Sequence, residues 1–104
     1  MNIENLTPQI GSFEIKEGVV YFDLGTMIRK SAKSFTLLLK DKVHKSIHVG
    51  CQACTRAKLN PTPNGLEINI TYTALDSRGQ ITKTVTETFS DDTKQIIKFT
   101  VKIL

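Results

Sequence analysis

Apolar and polar residues alternate with a period of two along most of this chain, and residues 66–74 show it most clearly. Leu66, Ile68, Ile70, Tyr72 and Ala74 fall on one face, with Glu67, Asn69, Thr71 and Thr73 on the other. That is the pattern of a strand buried on one side. A turn at Asp76-Ser77-Arg78-Gly79 leads into a second run from Gln80 to Phe89, so residues 66–90 are expected to form an antiparallel hairpin. In the second run Ile81, Val85 and Phe89 share a face with Lys83 and Glu87, while Thr82, Thr84, Thr86 and Thr88 fill the other. Charges on an apolar face suggest a strand that overruns the core or carries a bulge.

The same reading extends to both ends. Ile97, Phe99, Val101 and Ile103 alternate with Lys98, Thr100 and Lys102; Phe35, Leu37 and Leu39 alternate with Ser34, Thr36 and Leu38. Ile47, Val49 and Cys51 alternate with Ser46, His48 and Gly50, and regular alternation puts His44 with the second set. Phe13 and Ile15 suggest a short edge strand, and Val19 to Leu24 another, separated by Lys16-Glu17-Gly18. About seven short strands with regular turn signals, and no segment with helical periodicity, predict an all-β antiparallel sandwich.

At 104 residues the chain is one domain, residues 1–104. Hydrophobic residues make up 39% and charged residues 23%, which excludes compositional disorder. No apolar run approaches the roughly 20 residues of a spanning helix, so no membrane partner is expected. Met1-Asn2-Ile3-Glu4-Asn5-Leu6 lacks the basic start and apolar centre of a secretion signal, so a chain kept inside the cell or one already processed is expected, and the initial Met favours the first, a cytoplasmic chain. Fourteen basic against ten acidic residues give a net charge of +4. The basic residues are scattered, without an arginine run or an aromatic platform, so a nucleic-acid partner is not expected.

Candidate chemistry centres on Cys51 and Cys54. In a reducing cytosol such a pair is usually thiols or metal ligands. Three readings stand: half of a zinc site completed by His44 and His48, a disulfide or redox pair, and buried structural thiols at a strand end, the last preferred. A four-ligand site needs the backbone to break near Gly50, because His44 and His48 otherwise project away from Cys51. No cofactor is expected apart from zinc in the first reading. No nucleophile elbow, phosphate loop or paired carboxylate is visible, so the chain is expected not to be an enzyme. Asp91-Asp92 reads as a solvated turn, and Asp23 as a local acceptor for backbone N–H groups around Gly25. Asn5-Leu6-Thr7 and Asn69-Ile70-Thr71 match the glycosylation pattern.

The order Phe22-Asp23-Leu24-Gly25-Thr26, a strand with Phe35, Cys51-Gln52-Ala53-Cys54-Thr55, the turn Pro61-Thr62-Pro63-Asn64-Gly65 and the strand to Tyr72 resembles a bacterial immunoglobulin-like family of unknown function. That family carries F-D-x-G-T, C-G-C-T and a P-G turn, and is similar to the Hydin and major-sperm-protein type of sandwich. The resemblance covers residues 13–104. Here two residues rather than one separate the cysteines, and Arg29-Lys30-Ser31 replaces the glycine expected after Gly25-Thr26.

The resemblance implies an immunoglobulin-like sandwich, and with no enzyme signature the expected role is a non-enzymatic structural or assembly one, docked on a larger protein lattice or on further copies of itself. Small domains of this type also resemble accessory or decoration proteins of phage particles, which adds the virion to the expected locations. A cellular adaptor or surface module binding a protein partner is the alternative, and a small metal or redox protein built on Cys51 and Cys54 a second. Loops carry function on such scaffolds. The turn 40–45 and the loop 53–64 therefore offer Lys42, Lys45, Arg56, Lys58, Asn60 and Asn64 as contact residues.

Overall fold

The computed structural model describes residues 3–7, 12–76 and 78–104. Its strands are β1 (Ile3–Asn5), β2 (Ser12–Lys16), β3 (Val19–Met27), β4 (Ala32–Lys40), β5 (His44–Val49), β6 (Thr55–Thr62), β7 (Gly65–Thr73), β8 (Gly79–Phe89) and β9 (Lys94–Ile103). They form a four-stranded sheet in the order β1-β4-β7-β6 and a five-stranded sheet in the order β2-β3-β9-β8-β5. All pairs are antiparallel except β3 with β9. Among the described residues no helix is long and apolar enough to cross a membrane.

Period-two burial holds the sheets face to face. Leu66, Ile68, Ile70 and Tyr72 of β7 and Phe35, Leu37 and Leu39 of β4 face Phe22, Leu24, Val85, Phe89, Ile97, Phe99 and Val101 from the other sheet, all nearly inaccessible to water. Phe22 stacks on Phe35 across the interface with ring centroids 4.3 Å apart, and Phe99 meets both Phe35 and Tyr72 edge-on at 5.6 Å. Offset and edge-on pairs of this kind add about 1 kcal/mol each beyond the area that they bury.

Among the described residues the sandwich has nine strands, against the seven expected. The additions are β1 and β6; β6 occupies most of the segment read as the loop 53–64. It carries only Ala57 and Leu59 as half-buried apolar positions, too few for alternation to show. It carries Pro61 one residue before its end, which an edge strand tolerates because no outer neighbour needs its missing N–H. The expected hairpin over 66–90 does not form, since β7 pairs with β4 and β6 whereas β8 pairs with β5 and β9. The connection instead crosses between sheets. The Ala74 N–H donates to Ser31 O at 2.8 Å, and the Lys30 N–H donates to Ala74 O, so the end of β7 is tied to the β3–β4 turn. Ser77 of the expected turn, and Met1 and Asn2 of the N-terminal reading, lie outside the described residues.

The F-D-L-G-T segment is a bulge on β3. The parallel register with β9 advances three residues from Asp23 to Thr26 while β9 advances two, from Thr100 to Lys102. Gly25 turns the chain at φ +75°, and its N–H donates to Asp23 Oδ1 at 2.8 Å, the local role expected of Asp23. A bulge leaves carbonyls without ladder partners. Here the Lys33 ammonium, reaching across from β4, donates to Leu24 O at 2.8 Å and Thr26 O at 3.0 Å. Replacing Lys33 with methionine keeps the apolar stem and removes both donors. The expected loss is about 2 kcal/mol, read as a lower urea midpoint at unchanged slope.

Candidate functional site

Alternation along β6 sends Ala57 and Leu59 toward the core and Arg56, Lys58 and Asn60 outward, all three exposed. Register with β7 sets Arg56 opposite Thr71, Lys58 opposite Asn69 and Asn60 opposite Glu67. β4 adds Ser34 and Thr36 opposite Thr71 and Asn69. Thr36, Lys58, Leu59, Asn60, Glu67 and Asn69 line an open groove of about 480 Å³ on this outer face. Its polar groups are oriented by one another: Asn69 Nδ2 donates to Thr36 Oγ1 at 2.9 Å, and Asn60 Nδ2 donates to Glu67 Oε2 at 3.2 Å. Asn64, in the β6–β7 turn, lines a second groove of about 390 Å³ with Glu4, Leu38, Lys40, Asp41 and Pro63.

Lys42 and Lys45 lie elsewhere, where the β4–β5 connection meets the β8–β9 turn. Lys42 Nζ stands 3.4 Å from Asp91 Oδ2 and 5.0 Å from the centre of the Phe89 ring, and Lys45 pairs with Asp92. The Thr93 hydroxyl and backbone N–H hold the Asp91 carboxyl below its ordinary range, with a smaller pull from Lys42. The Asp91-Asp92 turn is thus exposed, as expected, and also the counter-charge for two of the six residues read as contacts. The structure brings Arg56, Lys58 and Asn60 together and leaves Lys42 and Lys45 apart from them.

The four residues of the zinc reading do not converge, and among the described residues no three His, Cys, Asp or Glu side chains form a metal-sized cluster. The backbone breaks near Lys45, where a register shift between His44 and Ser46 turns His44 inward, against the expectation from regular alternation. His44 Nδ1 lies 2.8 and 2.9 Å from the two oxygens of Glu87, whose side chain is wholly buried. Burial pushes the Glu87 carboxyl above its ordinary range, and the His44 hydrogen bond and charge and the Lys45 N–H draw it part of the way back. Glu87 on the apolar face of β8 was the sequence signal for this pair; the bulge that accommodates it belongs to β5, not β8. His48 is exposed and paired with Thr86 on the outer face.

Cys51 and Cys54 form a disulfide in the crossover between β5 and β6, so the preferred reading as thiols is corrected. Cys54 belongs to the core and Cys51 packs half-buried against it. Thr55 N–H donates to Cys51 O at 2.9 Å, Gly50 N–H to Thr84 O at 3.1 Å, and Thr73 N–H to Cys54 O at 2.7 Å. Closing so short a loop restricts the unfolded chain little, contributing about 2 kcal/mol by chain entropy. The sheets are held by their core, and this cross-link is a secondary support.

No family model matches the chain. No curated protein matches it. Among solved structures it is similar to part of an endo-fucoidan hydrolase from glycoside hydrolase family 107, at 9% identity over 81% of this chain and 12% of that one, with a TM-score of 0.51. It is also similar to part of a Bacteroides ovatus GH5 xyloglucanase in complex with a heptasaccharide, at 23% identity over 89% of this chain and 19% of that one, with a TM-score of 0.52. The chain spans less than a fifth of either hydrolase, and at these identities the likeness is one of fold.

Proposed function

We propose that this chain is a non-enzymatic immunoglobulin-like module that docks on a larger protein assembly through the outer face of its four-stranded sheet. The observation that carries the reading is the outward row Arg56, Lys58 and Asn60 beside a pre-oriented polar groove. Lys42 and Lys45, in contrast, already have acidic partners. Docking uses the face of the four-stranded sheet rather than its edges, because both edges are blunted: β1 has three described residues and β6 carries Pro61. The Cys51–Cys54 disulfide supports work at a cell or virion surface or in another oxidising compartment.

The test is charge reversal. Arg56→Glu with Lys58→Glu, both exposed, is expected to change stability by no more than about 0.5 kcal/mol. The same pair is expected to abolish co-sedimentation with the assembly. A folded double variant that still co-sediments contradicts the reading.

A second reading, glycan binding in the same groove, is favoured by the hydroxyl and amide groups of Thr36, Asn60 and Asn69. The fold also recurs within two glycan hydrolases. Retardation in a gel containing xyloglucan or fucoidan, abolished by Asn69→Ala, supports it; unretarded migration favours the protein partner.

A further inference from the structure

The β5–β6 crossover holds a group that docking on the four-stranded face leaves unused. The sulfurs of its disulfide are not equivalent. Cys51 is half-buried beside exposed Gln52 and Ala53, whereas Cys54 is 6% exposed within the core. Thr55 Oγ1 lies 3.6 Å from Cys54 Sγ, and Thr55 is itself 3% exposed. A disulfide sulfur has no proton to give, so the Thr55 hydroxyl is the donor in this contact.

Exchange rates depend on which sulfur an incoming thiolate reaches and on how well the departing sulfur carries charge. Access selects Cys51 for attack and makes Cys54 the leaving group. Burial alone opposes a thiolate at Cys54, and the Thr55 hydroxyl is placed to stabilise it. The turn also has supports that do not pass through the sulfur–sulfur bond, namely the hydrogen bonds from Thr55 to Cys51 and from Thr73 to Cys54.

We propose that Cys51–Cys54 is a thiol–disulfide exchange site that accepts two electrons from a dithiol while the sandwich stays folded. A donor thiolate attacks Cys51 Sγ. A mixed disulfide forms, the Cys51–Cys54 bond breaks, and its electron pair goes to Cys54 Sγ against the Thr55 hydroxyl. The donor's second thiolate then attacks the donor sulfur of the mixed disulfide and releases Cys51. The donor leaves as a disulfide, having lost two electrons and two protons, and the protein holds two thiols. Oxidation reverses the sequence.

The experiment reduces the native chain with dithiothreitol, counts thiols by alkylation and mass, and follows the sheet signal by circular dichroism. The expected result is two thiols with the sheet signal retained. Thr55→Val is expected to reduce about tenfold more slowly in the folded state, as loss of one hydrogen bond to a charged sulfur implies. Thr55→Ser keeps the wild-type rate, and all three chains react alike in denaturant. With oxidised glutathione, Cys54→Ser captures the tripeptide at Cys51, while Cys51→Ser leaves the buried Cys54 unmodified. Thiols that appear only after unfolding, equal native rates for wild type and Thr55→Val, or preferential capture at Cys54 would each overturn the proposal.

Discussion

Gly65→Ala is expected to destabilise the sandwich by about 3 kcal/mol or more, a large share of the roughly 5–15 kcal/mol that holds a domain folded. Gly65 opens β7 at φ +142°, a conformation that side chains rarely adopt. Space is shorter still: an added Cβ would lie 2.3 Å from Leu39 O, and 2.8 Å from both the Asp41 nitrogen and Lys40 Cα. These are backbone atoms of β4 and its exit, so no side-chain rotation relieves the contact. The same corner joins three segments, with the Asp41 N–H donating to Asn64 O at 3.1 Å and Thr62 Oγ1 donating to Gly65 O at 3.1 Å. Movement of Gly65 therefore disturbs the register of both β4 and β6 with β7. Urea unfolding checks the expectation. Gly18→Ala, at another positive φ but with nothing within 4 Å of an added Cβ, is the control and is expected to cost far less.

His44→Ala is expected to be nearly as costly, about 3 kcal/mol, because it strips a buried carboxylate of its partner. The figure sits at the low end for breaking such a pair, since the His44 side chain is 29% exposed and partly screened while that of Glu87 is 0% exposed. Substituting Glu87→Leu together with His44→Ala is expected to restore much of the loss, because no charge is then left stranded in the core. The loss also depends on pH. Burial raises the Glu87 carboxyl above its ordinary range, so the unfolded chain gives up this proton first. The folded state is therefore favoured at low pH and loses ground as pH rises through the carboxylate range. Removing His44 removes the pull that limits this rise. The deficit of His44→Ala is expected to be largest near neutral pH and to shrink toward about pH 4, where the raised carboxyl of the folded chain is protonated with or without His44. A deficit that does not vary with pH would contradict the assignment.

How far the fold could be read from the chain differed from strand to strand, for physical reasons. β7 is plain because nine consecutive residues alternate and every second one is buried. β6 is hidden because its inner side shows only Ala57 and Leu59 at the margin of the core. Alternation reports burial, not partners, so β7 and β8 look like a hairpin although they belong to opposite sheets. A single bulge between His44 and Ser46 defeats face assignment for His44, which is why the pair with Glu87 emerges only from the structure. Arg56, Lys58 and Asn60 are legible as contact residues of the segment read as the loop 53–64, but their alignment in one outward row depends on β6 being a strand. Cysteine spacing alone leaves thiol, metal ligand and disulfide open; the short distance between Cys51 and Cys54 at the crossover selects the last.

In the proposed docking mode one face of the sandwich binds the partner and the other does not. A photoreactive residue at position 58, on the outer face of β6, tests it most directly beside the same residue at position 86, on the outer face of β8. One defined protein adduct is expected from position 58 in cells that make the chain, and none from position 86. Equal labelling from both positions, or an adduct from position 86 alone, would contradict it.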